Sequence, residues 1–186
     1  MANLAKKIYD HYETYLGDML GADFYPEKNL QLMGFQDAVE GCLTFGTMGL
    51  SLHKKELGCC CEAVLTAEED LDVCAELFVK VLSYIIDRQL PLNKGMTIGG
   101  LAGLQPEFAF QHHKSAIYFT EPTMFTGAFR EIDEQCRIYM AFFITPEEEE
   151  YIRKNGAEKF EKLLEQQKTD VISLDRDSVV PGGPAK

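Results

Sequence analysis

Long apolar runs and basic residues are both scarce in this sequence of 186 residues. No stretch reaches the roughly 18 uninterrupted apolar residues that a membrane-spanning helix needs, so we expect no membrane span. Lys and Arg number 18 against 30 Asp and Glu, which gives a formal net charge of -12. Nucleic-acid binding needs basic side chains to neutralise phosphates, and this balance argues against it. The acidity would instead favour a basic protein partner.

Motifs that carry a known catalytic mechanism are absent as well. The sequence has no H-E-x-x-H, no P-loop, no G-x-G-x-x-G and no G-x-S-x-G. The best material for an enzyme is the pair His112-His113, whose companions would be His53, Cys59, Cys61 and Glu107. Adjacent residues of a strand point to opposite faces, so the two histidines would not share a site. We interpret them as surface or loop residues and keep a small enzyme as the alternative.

The six cysteines show no metal-binding spacing. No C-x-x-C pair occurs among positions 42, 59, 60, 61, 74 and 136. Cys59, Cys60 and Cys61 fall in a predicted strand, Leu57–Leu65, which would place the outer two on one face. We interpret the cysteines as free, buried thiols of a reducing cytosol, where we expect the protein to reside. The alternative is a metal-dependent or thiol-dependent module built on this cluster.

The first half of the chain predicts one helix followed by strands. Apolar residues recur on one stripe of an N-terminal helix, namely Leu4, Ile8, Tyr12, Tyr15, Leu16, Met19 and Leu20. Asp23–Pro26 reads as an extended or turn segment, and strands are predicted over Asn29–Phe35 and Gly41–His53. Gly46 and Gly49 interrupt the second of these, which indicates a bulge or a close backbone approach.

The middle of the chain predicts a long amphipathic helix. Thr66 and Glu69 have the spacing of a capping box, and a wide apolar stripe continues from there to about Gln89. The glycine-rich stretch Gly99–Glu107 predicts a loop or a weak edge. Strands are predicted over His113–Glu121 and over the dense apolar run Cys136–Ile144.

The C-terminal third predicts two helices. Thr145 is a good N-cap, Pro146 suits the first helical position, and Glu148 completes a capping box. The four adjacent glutamates at 147–150 are interpreted as a solvated helix start, because neighbouring helical residues fan out to different faces. Asn155-Gly156 ends this helix and a second one follows over Ala157–Gln167.

The grouping of strands and helices indicates an α+β fold with a central mixed, mostly antiparallel sheet packed by helices. We expect one domain over residues 1–180, followed by a flexible C-terminal tail over residues 181–186.

Several of these segments together resemble the suppressor of fused (SUFU) family. The motif LTFGTMGLS at 43–51 is similar to an early-strand motif of that family, and Lys94–Thr97 occupies the place of its glycine-containing turn. The closest similarity is the final strand, the P-x-E-E-E helix, the N-G break and the ending DVISLDRDSVV around Arg176. The resemblance covers nearly the whole chain. One departure is tryptophan, which the family often carries near its early strands and which this chain lacks.

This resemblance implies a SUFU-like α/β sandwich that binds another protein and does not turn over a substrate. The animal members of the family grip an extended peptide as an added strand, and the compact bacterial form is linked to immunity proteins that neutralise a toxin. It therefore implies an immunity or antitoxin-type protein that occludes a cognate basic toxin, for example a nuclease domain. No catalytic residue, cofactor or metal ligand is expected. Arg176 has the alternative of an ion pair within the fold. The candidate partner-binding residues are Gly46, Met48, Ser51, Asp133, Glu134 and Arg176.

Overall fold

A mixed sheet of eight strands organises residues 2–36 and 38–180, which are the residues that the computed structural model describes. The strands are β1 Met19–Tyr25, β2 Leu30–Gln36, β3 Leu43–Met48, β4 Cys61–Ala67, β5 Thr97–Gly99, β6 Ala116–Thr120, β7 Glu131–Ile132 and β8 Cys136–Ile144. The helices are α1 Ala2–Leu16, α2 Lys54–Leu57, α3 Leu71–Asp87, α4 Leu101–Leu104, α5 Pro106–Gln111, α6 Pro146–Asn155 and α7 Ala157–Gln167. Short 3-10 helices span Pro26–Lys28, Leu50–His53 and Gly127–Arg130.

The strand order is β1-β2-β3-β4-β8-β6-β5, and the short β7 pairs with the start of β8. Strands β4 and β8 pair in parallel, whereas all the other pairs among the described residues are antiparallel. The predicted α+β fold with a mixed, mostly antiparallel sheet is thus confirmed. No helix within the described residues combines the length and the apolar character that crossing a membrane requires.

Helices cover both faces of the sheet, which produces two apolar cores. One core packs α3 and α5 against one face, and the other packs α1 and α7 against the opposite face. The sequence of β8 is a continuous apolar run because this strand lies between the two cores. Its Met140 and Phe142 belong to one core and its Ala141 and Phe143 to the other. A strand buried on both faces loses the alternation of apolar and polar residues.

The N-terminal helix is shorter than its predicted stripe. Ile8, Tyr12 and Leu16 are buried as expected. The helix ends at Leu16 because Gly17 adopts a positive φ of 87°, a conformation typical of helix C-termini. Leu20 therefore lies in β1, where it is 61% exposed. The sequence did not predict β1, of which only the last residues were read as extended.

The glycine-interrupted segment is a strand only as far as Met48. The register of β3 is continuous with both β2 and β4, so no bulge is present there. Gly46 is approached by a side chain and not by backbone, since a Cβ on it would lie 2.9 Å from Cε2 of Tyr12. Gly49 has a φ of 121°, and a Cβ there would collide with the carbonyl oxygen of Asn29.

Two predicted element boundaries around β4 are wrong. Strand β4 begins at Cys61, so Cys59 and Cys60 precede it instead of lying in it. Thr66 does not cap a helix, because it lies within β4 and its hydroxyl is 3.0 Å from that of Thr44 on β3. Helix α3 starts four residues later than that capping box implies, after Asp70, which adopts a left-handed conformation with φ 46°.

The segment predicted as a loop or weak edge contains more regular structure than expected. Its start belongs to the three-residue edge strand β5, but α4 and the first two residues of α5 follow within it. The next strand is also shorter than predicted and begins at Ala116, since His113 has a positive φ of 51°.

The capping box of α6 is confirmed. The Glu148 amide donates to Thr145 Oγ1 over 3.3 Å, and the Thr145 amide donates to Glu148 Oε2 over 3.0 Å. The interpretation of all four glutamates as solvated is wrong for Glu148, which is fully buried. It is buried because Arg176 comes to it from the C-terminal segment. The tail predicted over residues 181–186 lies outside the described residues.

Candidate functional site

Strand β1 forms a long open edge of the sheet. Among the described residues it pairs only with β2, and the five residues from Leu20 to Phe24 are exposed along it. The other outer strand, β5, has only three residues. An edge strand presents unpaired N–H and C=O groups, which can pair with an extended segment of another chain. The side chains of Leu20 and Phe24 add an apolar surface, with exposed fractions of 61% and 60%.

An apolar groove, called here the Phe24 groove, lies next to this edge. It has a volume of about 210 Å³. It is lined by Leu4, Ala5, Ile8, Phe24, Asn29, Gln31, Met48, Gly49, Ser51 and Leu52. Leu52 is 49% exposed although it is apolar. Edge and groove together form a continuous surface where a partner can supply backbone pairing and bury an apolar side chain.

One wall of the groove is held in place by a buried carboxylate, Glu62 on β4. Its two oxygens accept the Thr47 hydroxyl over 2.7 Å and the amides of Gly49, Leu50 and Ser51 over 3.1 to 3.2 Å. Burial raises the pKa of Glu62, and these donors act in the opposite direction. Four donors on one side chain fix the turn after β3, which is the turn that carries Ser51 into the groove.

The structure brings two of the six predicted partner-binding residues to this surface. Met48 and Ser51 both line the Phe24 groove. Gly46 does not reach it, because it is buried beneath Tyr12 on a strand flanked by β2 and β4. The hypothesis that the strand around Gly46 exposes an edge is therefore wrong. The open edge belongs to β1, two strands away.

The other three predicted residues lie elsewhere. Asp133 and Glu134 form an exposed turn between β7 and β8, and both have positive φ angles, of 51° and 56°. Asp133 pairs with Lys7 of α1 over 2.6 Å. Arg176 points into the fold, where its guanidinium donates to the two oxygens of Glu148 over 2.6 and 2.8 Å. Arg176 therefore forms the ion pair within the fold that was the alternative to partner binding.

The two adjacent histidines have separate environments. His113 is partly exposed and lies 3.1 Å from Glu147. His112 lies in the turn after α5, as expected of a loop residue, but it is not on the surface, because its ring is buried between carboxylates. Its Nε2 is 2.6 Å from Asp70 Oδ2 and its Nδ1 is 3.2 Å from Asp175 Oδ1. Sequence reasoning missed this cluster because its members come from three distant segments with no shared motif.

Cys59 and Cys61 differ sharply from each other in their electrostatics. All six cysteines are free, and Cys61 is fully buried whereas Cys59 is half-buried. Hydrogen bonding with the Cys61 thiol lowers the pKa of Cys59 to about 6, with further help from Tyr139, Arg137 and Lys54. The same contact, together with burial, raises the pKa of Cys61. Of these two thiols, Cys59 is therefore the one that ionises more readily.

Comparison with known proteins agrees with this fold. The family model described as suppressor of fused protein (SUFU) matches residues 26–177. A crystal structure of a SUFU homolog from Neisseria gonorrhoeae FA 1090 superposes with a TM-score of 0.78 and 14% sequence identity, over 97% of this chain and 98% of that one. Identity this low shows a shared fold alone. No protein of curated function matches the sequence.

Proposed function

Because the chain belongs to the suppressor of fused family, whose fold is consistent with a protein-interaction module, we propose that it binds a protein partner along β1 and the Phe24 groove. The observation that carries this proposal is the exposed apolar edge strand. Monomeric proteins usually blunt or cover such edges, since they are liable to pair with other chains. A long edge with two exposed large apolar side chains is better suited to a partner than to solvent.

The binding mode that fits this surface is addition of a strand. An extended segment of the partner would pair its backbone with β1 and place one apolar side chain in the groove beside Met48 and Leu52. Backbone pairing supplies affinity with little sequence preference, whereas the groove supplies selectivity. Because Glu62 holds the turn at Ser51 by hydrogen bonds, the groove is already formed before binding. This lowers the entropic cost of binding.

Charge indicates the chemistry of the partner. Asp18, Asp23 and Glu27 are exposed on and beside β1, and the whole chain carries a formal charge of -12. A basic segment would be attracted to this edge and would associate faster at low salt. We extend the proposal to an immunity or antitoxin-type role, in which the chain covers the working surface of a basic toxin domain, such as a nuclease.

The test is capture of the partner by matched variants. Tagged protein is used to pull partners from a lysate of the native organism, which mass spectrometry then identifies. We expect the double variant F24S/L52S to lose the partner and F110S to keep it, because Phe110 is 90% exposed but lies on α5, away from the groove. Equal thermal midpoints of the three proteins would show that folding is unaffected.

Two outcomes would count against the proposal. Retention of the partner by F24S/L52S would remove this surface as the binding site. A partner without toxin-like activity would reject the immunity role and leave the binding module intact. If the partner is a toxin, one equivalent of this chain should abolish its activity. One equivalent of F24S/L52S should leave that activity unchanged.

A further inference from the structure

A second group of polar residues converges on His112, at a site that the proposed function does not use. Three segments meet there: the turn before α3, the end of α5 and the C-terminal segment. The Nδ1 atom of His112 is 3.2 Å from Asp175 Oδ1 and 3.8 Å from Glu69 Oε1. One ligand atom from each of these residues lies within 4.8 Å of the other two. The imidazole side chain is only 1% exposed.

The other ring nitrogen determines what these atoms can do. Nε2 lies 2.6 Å from Asp70 Oδ2, a distance at which an N–H donates to a carboxylate. A neutral imidazole with its proton on Nε2 presents a lone pair at Nδ1. That lone pair then faces oxygens of Glu69 and Asp175, which are acceptors only. A metal ion placed between these three acceptors would offset their mutual repulsion.

We propose that Nδ1 of His112 and the carboxylates of Glu69 and Asp175 bind a divalent transition-metal ion, with Zn²⁺ as the best fit. Ligands at about 2.0 to 2.2 Å in a tetrahedral site lie roughly 3.3 to 3.6 Å apart, close to the observed 3.2 and 3.8 Å. A nitrogen ligand favours Zn²⁺ or a neighbouring transition metal over Mg²⁺ and Ca²⁺, which prefer oxygen.

Asp70 has the role of a positioning residue in this site. Histidines that bind metals commonly donate their second N–H to a carboxylate, which fixes the tautomer and the ring orientation. Asp70 makes this contact from a left-handed backbone conformation, and Phe108 packs against the ring with the centroids 5.0 Å apart. The partly exposed carboxylates of Glu69 and Asp175 leave a route for the ion and a fourth position for water or an external ligand.

Titration of the full-length, tag-free chain after chelator treatment tests the site. We expect one equivalent of Zn²⁺ to bind in calorimetry, and E69Q and D175N each to weaken binding at least tenfold. D70N should weaken it by roughly ten- to a hundredfold, because the carboxylate that holds Nε2 of His112 is lost. E68Q is the matched control, since it removes a neighbouring exposed carboxylate and should bind like the natural protein. Saturation at about a hundred times Kd should raise the thermal midpoint by roughly 5 to 10 °C.

Replacing Zn²⁺ by Co²⁺ separates this site from the cysteines. Nitrogen and oxygen ligands give only weak visible bands, whereas thiolates add an intense charge-transfer band. An intense band that persists in E69Q and D175N would assign the ion to the cysteines and overturn the proposal. Failure of the natural protein to bind Zn²⁺ would also overturn it.

Discussion

Replacement of Arg176 by methionine should be among the most destabilising single changes outside the apolar cores. The arginine side chain is 6% exposed and that of Glu148 is fully buried. Two guanidinium nitrogens donate to both carboxylate oxygens, and one of them also reaches the carbonyl oxygen of Phe143 over 3.3 Å. R176M keeps much of the apolar volume but removes every one of these donors. Glu148 would then hold a buried charge without its counter-ion.

The expected loss follows from the geometry of this pair. Removing one partner of a buried ion pair costs about 3 to 5 kcal/mol. Glu148 would still accept from the amides of Thr145 and Val179, each at 3.0 Å, so a loss near the lower end is expected. A chain of this length loses about 2 to 4 °C of thermal midpoint per kcal/mol, so a loss of about 3 kcal/mol corresponds to roughly 6 to 12 °C.

Denaturant unfolding followed by circular dichroism measures the effect, with R153M as the matched control. Arg153 lies on α6, the helix that carries Glu148, but its side chain is 75% exposed. Its contact with Glu150 is 3.6 Å long. Exposed pairs contribute little to stability, so R153M should unfold close to the natural protein. The double variant E148M/R176M should lose less than the sum of the two single variants. Equal stabilities of R176M and R153M would refute the reasoning.

Three further changes test other parts of the structure. Cys59 should react with iodoacetamide faster than Cys74, whose pKa burial raises to about 12. Because the thiolate is the nucleophile, the Cys59 rate should rise through about pH 6 and level off above it, as mass spectrometry of labelled peptides will show. G49A should lose about 2 to 5 kcal/mol of unfolding free energy in denaturant titration, since a Cβ would add both backbone strain and a collision with Asn29. T145A should lose about 1 kcal/mol in the same titration, because the cap of α6 is removed.

Each of these tests has its own counter-evidence. A Cys59 rate that continues to climb to high pH in the manner of an ordinary thiol would contradict the lowered pKa. G103A is the control for G49A, since a Cβ at Gly103 meets nothing within 4 Å, and equal losses in both would contradict the steric argument. For T145A, T145S should retain stability because a serine hydroxyl also caps. A loss in T145S as large as in T145A would show that the hydroxyl is not the cause.

The parts of the fold that the sequence predicted are those with local signals. Thr145, Pro146 and Glu148 define the start of α6 within four residues, and the structure contains their reciprocal hydrogen bonds. The long apolar stripe of α3 and the apolar run of β8 were recognised for the same reason. In each case, residues close together in the sequence determine the secondary structure of the segment.

The parts that were missed depend on residues far away in the sequence. The Thr66 signal has the composition of a capping box, but pairing with Thr44 keeps that segment in β4. Glu148 was predicted to be exposed like its neighbours. Its partner Arg176 lies 28 positions later, and no residue near Glu148 indicates that pairing. The same holds for the candidate surface. Met48 and Ser51 were chosen from a motif, whereas Phe24 was passed over because an edge strand is recognisable only once its neighbours are known.

The parallel pairing of β4 with β8 has a consequence for how the chain acquires its structure during synthesis. Strands β1 to β4 follow one another along the chain and can assemble as a meander while later residues are still being made. The free side of β4 must then wait for Arg137 to Ala141 of β8 to leave the ribosome. Pairing across so long a separation is slow, because loop-closure entropy is lost before any contact forms. During that interval a strand that is fully buried in the finished fold stays uncovered, and we expect this half-made sheet to be the species that chaperones bind.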